Sequence, residues 1–464
     1  MSFYTDKIIT EGISYNEVIL APAYSKTSPE KTTLCSRFSR NISLNIPLVS
    51  AGHYTVTESA MAIAMAHLGG LGIVHEHASV DDQVREIEIV KQHHDGLNAN
   101  PACLNQNRKI ADVLPFIQRK KLKEIPVVDN LKKLIGMVSR EDLKTIADKN
   151  RKLSDIVRNQ ECVYTTTPVN FEAASALLKK HKKLNLPIVD NDQQLVALYS
   201  DVSESYPMTL CDQAGKLMVA AMVSASPRAL SQIERLVDAG ANAIVLNAVH
   251  AHSRQVLELL RKAKSQFGTI DFVAGNVSTA EAATDLALAG ADGITIDLNP
   301  EERWSYTQQT GVGISSLPAL YEVSKALTES GIPVIANDPG GFPGNLVKVL
   351  AAGAEAVCLD QLICGTEESP GKTIWVNGKK FKWTRPLHQT ANNTDAAPQT
   401  TNYRRDGQGS LQQVINHLTN CLRNGMCLCG AENIEELQQA RFIRLSGQES
   451  SAILSLSLPE NKFK

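Results

Sequence analysis

The sequence predicts an α/β protein, a (β/α)8 barrel whose chain is interrupted by an inserted module. Three observations lead there. Short apolar, β-rich runs alternate with helix-length amphipathic stretches, and eight such runs can be counted. Between about residues 95 and 205 the alternation stops, gives way to an internal repeat, and then resumes. Apolar strands bounded by such helices read as a parallel sheet covered on both faces.

The eight runs are IPLVSA (46–51), GLGIVHE (70–76), LMVAAMV (217–223), AIVLNAV (243–249), DFVAGNV (271–277), GITIDL (293–298), PVIAND (333–338) and EAVCLD (355–360). The helices between them are rich in Ala, Leu and Glu, as in SRQVLELLRKAKSQF (253–267) and TAEAATDLALAG (279–290). Eight strands fit a closed TIM barrel. A doubly wound sheet shares the alternation, and strand counting alone leaves it open.

A chain of 464 residues suits two domains better than one core. Hydrophobic residues at 43% and charged residues at 21% are ordinary for a soluble globular protein. The net charge of −2, with no long basic run, offers nothing to nucleic acid or to an anionic membrane. No apolar stretch is long enough to span a bilayer, and the polar, mixed-charge start MSFYTDKIITEG does not read as a secretory signal. The nine cysteines form no disulfide-like framework, and Cys427 and Cys429 are spaced too closely for an obvious zinc pair. The expectation is a cytoplasmic protein with reduced cysteines.

Within the interruption, KKLKEIPVVDNLKKLIGMVSREDL (120–143) matches KKLNLPIVDNDQQLVALYSDVSE (182–204). Each unit runs helix, x-Pro-[Ile/Val]-Val-Asp, turn, strand and polar helix start. Tandem units of this kind resemble a CBS pair, or Bateman domain. The expected division is residues 1–94 for the first part of the barrel and 95–205 for the insertion, with units at about 98–150 and 151–205. Residues 206–464 complete the barrel, with a rewritten flap at about 380–410. The insertion's polar edges, HHDGLNAN (93–100) and SESYPMT (203–209), read as linkers.

Several motifs together are similar to the IMP dehydrogenase / GMP reductase family. They are YNEVILAPAYS (15–25), NIPLVSAGHYTVTESAMAIAMAHLGGLGIVHEH (45–77), GNVSTAEAA (275–283), TGVG (310–313), IPVIA (332–336), LAAGAEAV (350–357) and GTEESPGK (365–372). They occur in order along nearly the whole chain. The resemblance implies a barrel that binds IMP at its C-terminal mouth. A cysteine thiolate adds to the purine C2, hydride leaves to NAD, and water hydrolyses the adduct with help from a flap arginine. It also implies a potassium-type cation near the cysteine loop, phosphate held by Gly-rich turns, and homo-oligomers, tetrameric through barrels and octameric through CBS pairs.

The residues present depart from that plan at the ligand-facing positions. The cysteine loop of the family reads here DLNPEERWSYTQQTGVG (297–313), with Trp304 at the cysteine position. Asn299 and Glu301 stand where glycines let carbonyls approach the cation, so the NAD-linked chemistry and the K+ site are both degraded. Trp304 reads either as a packing residue that plugs the mouth or as a stacking platform for a base. The phosphate-binding Asp-Gly-Gly and Gly-Ser are replaced by Asn337-Asp338-Pro339 and by Asp360-Gln361. Proline removes an amide donor. Two like charges about 5 Å apart at an effective dielectric near 20 cost roughly 3 kcal/mol. A shifted amide nest at Gly340, Gly341 and Gly344 is the remaining way to hold a phosphate.

Elsewhere in the pocket, Asn247, Ala248 and Val249 replace Asp-Ser-Ser on the cofactor and substrate side. The pair His250 and His252 reads as loop histidines rather than metal ligands, since no third ligand is identifiable. Ser50 stands in place, but Gly52-His53-Tyr54-Thr55 rewrites the N-terminal substrate loop. Asn276 and Tyr306 complete the expected substrate-pocket positions. The Arg-Tyr base pair of the flap is missing, and Tyr403, Arg404 and Arg405 stand nearby in reversed order. In the insertion, Gly136, Ser139 and Asp142 match the nucleotide turn of a CBS unit, whereas the second unit keeps only Ser200 of it.

Three readings follow. The first is a non-catalytic regulatory or scaffolding paralogue of IMP dehydrogenase, with ATP or GTP sensing at the insertion and scope for co-assembly with a true IMP dehydrogenase. The second is a diverged barrel enzyme with another substrate, using groups such as Glu301, Glu302, Asp338, Asp360 and His250. The third is an active NAD-dependent IMP dehydrogenase, which needs another thiol, Cys358 or Cys364, to reach the purine.

Overall fold

All eight apolar runs are strands. The computed structural model describes residues 11–76, 79–93, 96–98, 101–119, 124–157, 162–167, 169, 171–200, 206–297, 307–337, 339–376, 379–384, 403–406, 409–447 and 449–450. Within it the chain forms two compact units, one of residues 1–93 and 208–464 and the other of residues 94–207.

The first unit is a closed barrel. Its strands are β1 (Leu48–Ser50), β2 (Leu71–Val74), β3 (Val219–Ser224), β4 (Ala243–Asn247), β5 (Asp271–Val277), β6 (Gly293–Asp297), β7 (Val334–Asn337) and β8 (Ala356–Leu359). They pair in parallel in chain order, and β8 closes on β1. Closure rules out the doubly wound sheet. The helices that follow the strands are α1 (Ser59–His67), α2 (Val80–Gln92), α3 (Ala229–Asp238), α4 (Arg254–Gln266), α5 (Ala280–Leu288), α6 (Ser316–Leu327), α7 (Pro343–Ala351) and α8 (Leu411–Leu428). Ser79, Ser253 and Thr279 cap α2, α4 and α5 by accepting a backbone N–H from the first turn.

The strands read as continuous apolar runs because both faces are buried. In β4, Ala243 and Val245 join the barrel interior, while Ile244 and Leu246 pack outward against the helices. The hairpin of Ser36–Arg37 and Ser43–Leu44 carries the fully buried Phe38 into the interior cluster. Asp271, at the start of β5, holds that hairpin by accepting from Asn41 Nδ2 at 2.7 Å and from Ser39 Oγ. One end of the barrel is thereby sealed, and the side chains available to a ligand are at the other, where the strands finish.

Lys91 at the end of α2 is buried and donates to Asp212 Oδ2 at 2.8 Å, to Leu217 O at 2.9 Å and to Asn242 Oδ1 at 2.7 Å. This joins α2 to the segment that leads into β3. Burial raises the Asp212 carboxyl, but the Lys91 ammonium and the amides of Lys216 and Ala214 outweigh it and hold the group below its ordinary value. Burial pulls the Lys91 ammonium down in turn.

The second unit contains two similar small sheets. Strands Glu124–Val128 and Leu134–Ser139 pair antiparallel, with Leu104–Asn105 parallel at the edge. Asn185–Val189 and Leu195–Ser200 pair likewise, with Thr165–Thr166 at the edge. The two hairpins recur 61 residues apart, and Asn185 Nδ2 reaches Glu124 Oε2 across that spacing. Each hairpin turns on an Asp side chain, Asp129 accepting from Leu131 N and Lys133 N, and Asp190 from Asp192 N and Gln194 N. The turns are bonded to each other, Leu134 N donating to Gln193 O and Leu195 N to Lys132 O. One expectation is corrected here. Residues 93–100 are not simply a linker, because Leu97–Asn98 forms a strand against Leu198 and Tyr199 of the second sheet. Polar residues at a sheet edge carry no apolar period, so the pattern could not reveal that strand. Among the described residues, no helix is long and apolar enough to cross a membrane.

Replacing Lys91 by Met leaves the buried Leu217 carbonyl and the part-buried Asp212 carboxylate without this donor, and is expected to cost about 1–3 kcal/mol in denaturant unfolding. The depressed Asp212 carboxyl contributes stability that is complete above the ordinary value of 3.8 and is lost as pH falls through the lower folded value. Asp212→Asn is expected to flatten the acid limb of a melting-temperature profile below about pH 4.

Candidate active site at the barrel mouth

Alternation along the strands determines which residues look into the mouth. In β4, β7 and β8, residues Val245, Ile335, Ala356 and Cys358 line the interior, so Asn247 and Asn337 continue that inward row at the strand ends. The register places Asn247 beside Gly275, Asp297 beside Asn337, and Asn337 beside Cys358. Gly275 is required at its position, because a Cβ would run into the Thr295 hydroxyl and carbonyl oxygens. That close approach of β5 to β6 brings the next residue, Asn276, into the mouth.

Asn276 is the centre of a carboxamide network. Asn337 Nδ2 donates to Asn276 Oδ1 at 2.8 Å, and Thr295 Oγ1 donates to the same oxygen at 3.4 Å. Asn276 Nδ2 in turn donates to Asn247 Oδ1 at 3.5 Å. Sequence reasoning named the three asparagines as separate pocket positions and missed that they bond to one another. It also missed Thr295, whose inward place in β6 follows from strand parity. The signal was an Asn at three strand ends, but only barrel closure and register bring them together.

Of the other expected pocket residues, Ala248 prolongs the strand ladder, its N donating to Gly275 O and its O accepting from Asn276 N. Val249 turns into solvent and is 74% exposed. His53 pairs Nδ1 with Thr55 Oγ1 at 2.7 Å and packs its ring on Tyr54. Pro339 is buried and its carbonyl accepts from Asn345 Nδ2 at 2.9 Å. Asp360 starts the turn after β8, its carbonyl accepting from Ile363 N and Cys364 N, and Gln361 lies close to Gly341. Phe342 N is already spent on Gly340 O, which removes one donor from an amide nest there. Trp304, Tyr306 and Asp338 lie outside the described residues, as do the cation-loop positions Asn299 and Glu301 and the flap residues 385–402.

One pocket assignment is corrected. Ser50 is fully buried and its hydroxyl accepts from Thr57 Oγ1 at 2.9 Å, so it braces the β1–α1 connection and cannot reach a ligand. Its neighbours Val49 and Ala51 take the inward places, and a one-residue change of parity moves a side chain to the other face. His250 and His252 have ring centroids 6.3 Å apart, and His252 Nε2 is held by Asp285 Oδ2 at 2.9 Å. No group of three metal-ligating side chains occurs among the described residues. Of the two thiols weighed as substitutes for the nucleophile, Cys364 donates to Thr55 O at 3.7 Å, and Cys358 is buried in the interior cluster under the mouth.

The described rim of the mouth is acidic. The described residues at or within two positions of the strand ends include Glu76, Asp297 and Asp360, and no lysine or arginine. Arg228 and Arg254 follow further out, where Arg254 is tied to Glu258 at 2.7 Å.

In the second unit, Ser139 caps the helix Arg140–Thr145, its Oγ accepting from Asp142 N at 3.0 Å. Gly136 is needed for packing, because a Cβ there would overlap Val157. Ser200 donates to Asn185 Oδ1. Arg140, which sequence reasoning passed over, has a buried Nε with no hydrogen-bond partner among the described residues.

Comparison with known proteins agrees with the fold and extends across the chain. Residues 12–452 match the family model described as the IMP dehydrogenase / GMP reductase domain. Inosine-5'-monophosphate dehydrogenase of Aquifex aeolicus is 34% identical, covering 95% of this chain and 94% of the relative. The Bacillus subtilis enzyme of the same name is 32% identical, covering 96% and 95%. Among solved structures, a GMP reductase variant from Trypanosoma brucei superposes with a TM-score of 0.82 at 28% identity, covering 97% of this chain and 100% of that one. With an eight-stranded barrel, a mouth at its strand ends and a family match over nearly its full length, the chain belongs to the IMP dehydrogenase / GMP reductase family.

Proposed function

We propose that this family member has lost IMP oxidation and serves as a non-catalytic regulatory or scaffolding paralogue, with nucleotide sensing in the inserted unit. The observation that carries the reading is Trp304, which aligns with the family's nucleophilic cysteine in the stretch ending in TGVG (310–313). An indole has no group that can add to the purine C2, so the covalent intermediate cannot form there. The acidic side chains of the described rim, Glu76, Asp297 and Asp360, support the same reading. IMP and NAD are both anionic, and a phosphate dianion about 6 Å from one carboxylate at an effective dielectric near 20 loses roughly 5 kcal/mol. Asn247 carries no charge where the family resemblance places the cofactor-side Asp, so no step is assigned to NAD; the residues of the K+ loop lie outside the described part.

Nucleotide sensing is assigned to the first repeat of the inserted unit, read as a CBS pair. Asp142 is positioned by the Ser139 cap, and the unpaired Arg140 Nε beside it is a donor suited to an anionic ligand. The second repeat lacks the corresponding Gly and Asp.

A second reading, an active IMP dehydrogenase, is favoured by one feature: Cys358 lies in the barrel interior next to Asn337. Purified protein incubated with IMP and NAD separates the two. No NADH absorbance above background is expected, and turnover abolished by Cys358→Ser or Cys364→Ser would establish the second reading instead. For the inserted unit, ATP or GTP at about 100 times its Kd should stabilise the fold by about 2.7 kcal/mol, seen as a rise in melting temperature, and Asp142→Ala should remove that shift.

A further inference from the structure

The hydrogen bonds of the mouth carboxamides run in one direction, from Asn337 through Asn276 to Asn247. The Asn276 oxygen takes two donors and its nitrogen gives one of its two N–H groups to Asn247. Among the described residues, Asn337 Oδ1 and the Nδ2 of Asn247 have no partner, and both residues are half-buried in the inward row. One end therefore offers a carbonyl oxygen and the other an amide nitrogen with both N–H groups. Neither atom is sealed from water, so a ligand that pairs with them exchanges a bond to solvent for one within the partly buried mouth.

The surroundings define what such a ligand is. Ile73, Met222, Val245, Ile335 and Cys358 form an apolar floor below the network. No lysine or arginine stands within two positions of a described strand end to neutralise an anion. Polar ends that are both neutral, above an apolar floor, suit a neutral molecule with a flat or compact body.

We propose that the mouth binds an uncharged ligand that gives a hydrogen bond to Asn337 and accepts one from Asn247, as the hydroxyls of a nucleoside or a free carboxamide do, and that it rejects the phosphorylated form of the same molecule. The proposal rests on the reading that the barrel no longer oxidises a nucleotide, but it concerns selectivity in binding and has its own readout. The network works as one unit, so removing its centre disturbs both free ends.

Isothermal titration calorimetry of the full chain tests this with inosine against IMP and with nicotinamide against nicotinamide mononucleotide. At least one uncharged probe should bind about tenfold or more tightly than its phosphorylated partner, and which one does so identifies the source of the ligand. Asn276→Ala should weaken that probe by about tenfold or more. Where thermal melting shows that Asn276→Ala does not fold, Asn337→Leu removes one end of the network and should weaken the same probe. Equal or tighter binding of the phosphorylated partners overturns the proposal, as does binding insensitive to both substitutions or the absence of binding by all four probes. NADH formation from IMP would defeat the loss of catalysis and count against the selectivity as well, whereas absence of turnover with tighter binding of IMP than inosine and of nicotinamide mononucleotide than nicotinamide would overturn the selectivity alone.

Discussion

The pairing of the last barrel strand with the first is the constraint from which the remainder of the molecule follows. Val357 lies beside Leu48, Cys358 beside Val49 and Leu359 beside Ser50, and this register converts an open sheet into a ring. A ring has no free edge and a single interior, so inward parity is settled at once for all eight strands. It also gathers eight strand ends around one opening. Asn247, Asn276 and Asn337 come from separate stretches of chain and meet only because the ring closes. The hairpin carrying Phe38, held by Asp271, blocks the opposite end. Stability and ligand access are thereby divided between the two ends of one barrel.

The inserted unit follows a different logic. It is built from a hairpin that occurs twice, each copy turned by an aspartate and the two joined at their turns. Neither sheet is large enough to bury a core alone, and each is covered by its own helix, Ile110–Arg119 in one and Phe171–His181 in the other. The features that match a nucleotide turn also have structural uses. Gly136 makes room for Val157 and Ser139 caps a helix, so these two residues would be kept with or without a ligand. The buried Arg140 Nε is different in kind, since no described residue hydrogen-bonds to it.

Much of the barrel was legible in the sequence because its strands are buried on both faces and so stand out as unbroken apolar runs between amphipathic helices. Parity within those runs was harder to read. Ser50 looks like a pocket residue from its place in a motif, yet it faces α1 and is sealed by Thr57. The polar strand Leu97–Asn98 carries no period at all and reads as linker in the sequence. The individual asparagines of the mouth were legible, but their bonding was not, since it depends on register across strands far apart in the chain. Thr295 went unnoticed for the same reason: alone it is one polar residue in an apolar run, and only the Gly275 gap shows that it supports Asn276.

The proposed loss of chemistry rests on the sequence resemblance, which sets Trp304, Asn337, Asp360 and Asn247 against the family's ligand-facing positions while the barrel's glycines and apolar runs keep to the family pattern. A scaffold can be retained while its chemistry is replaced, because the two are carried by different residues. The decisive question is whether any thiol of this chain can capture the purine. Intact-protein mass spectrometry after rapid quenching of the full chain with IMP and NAD addresses it directly. The account predicts an unmodified mass, and a nucleotide adduct mapped to Cys358, or to any other cysteine, would contradict it.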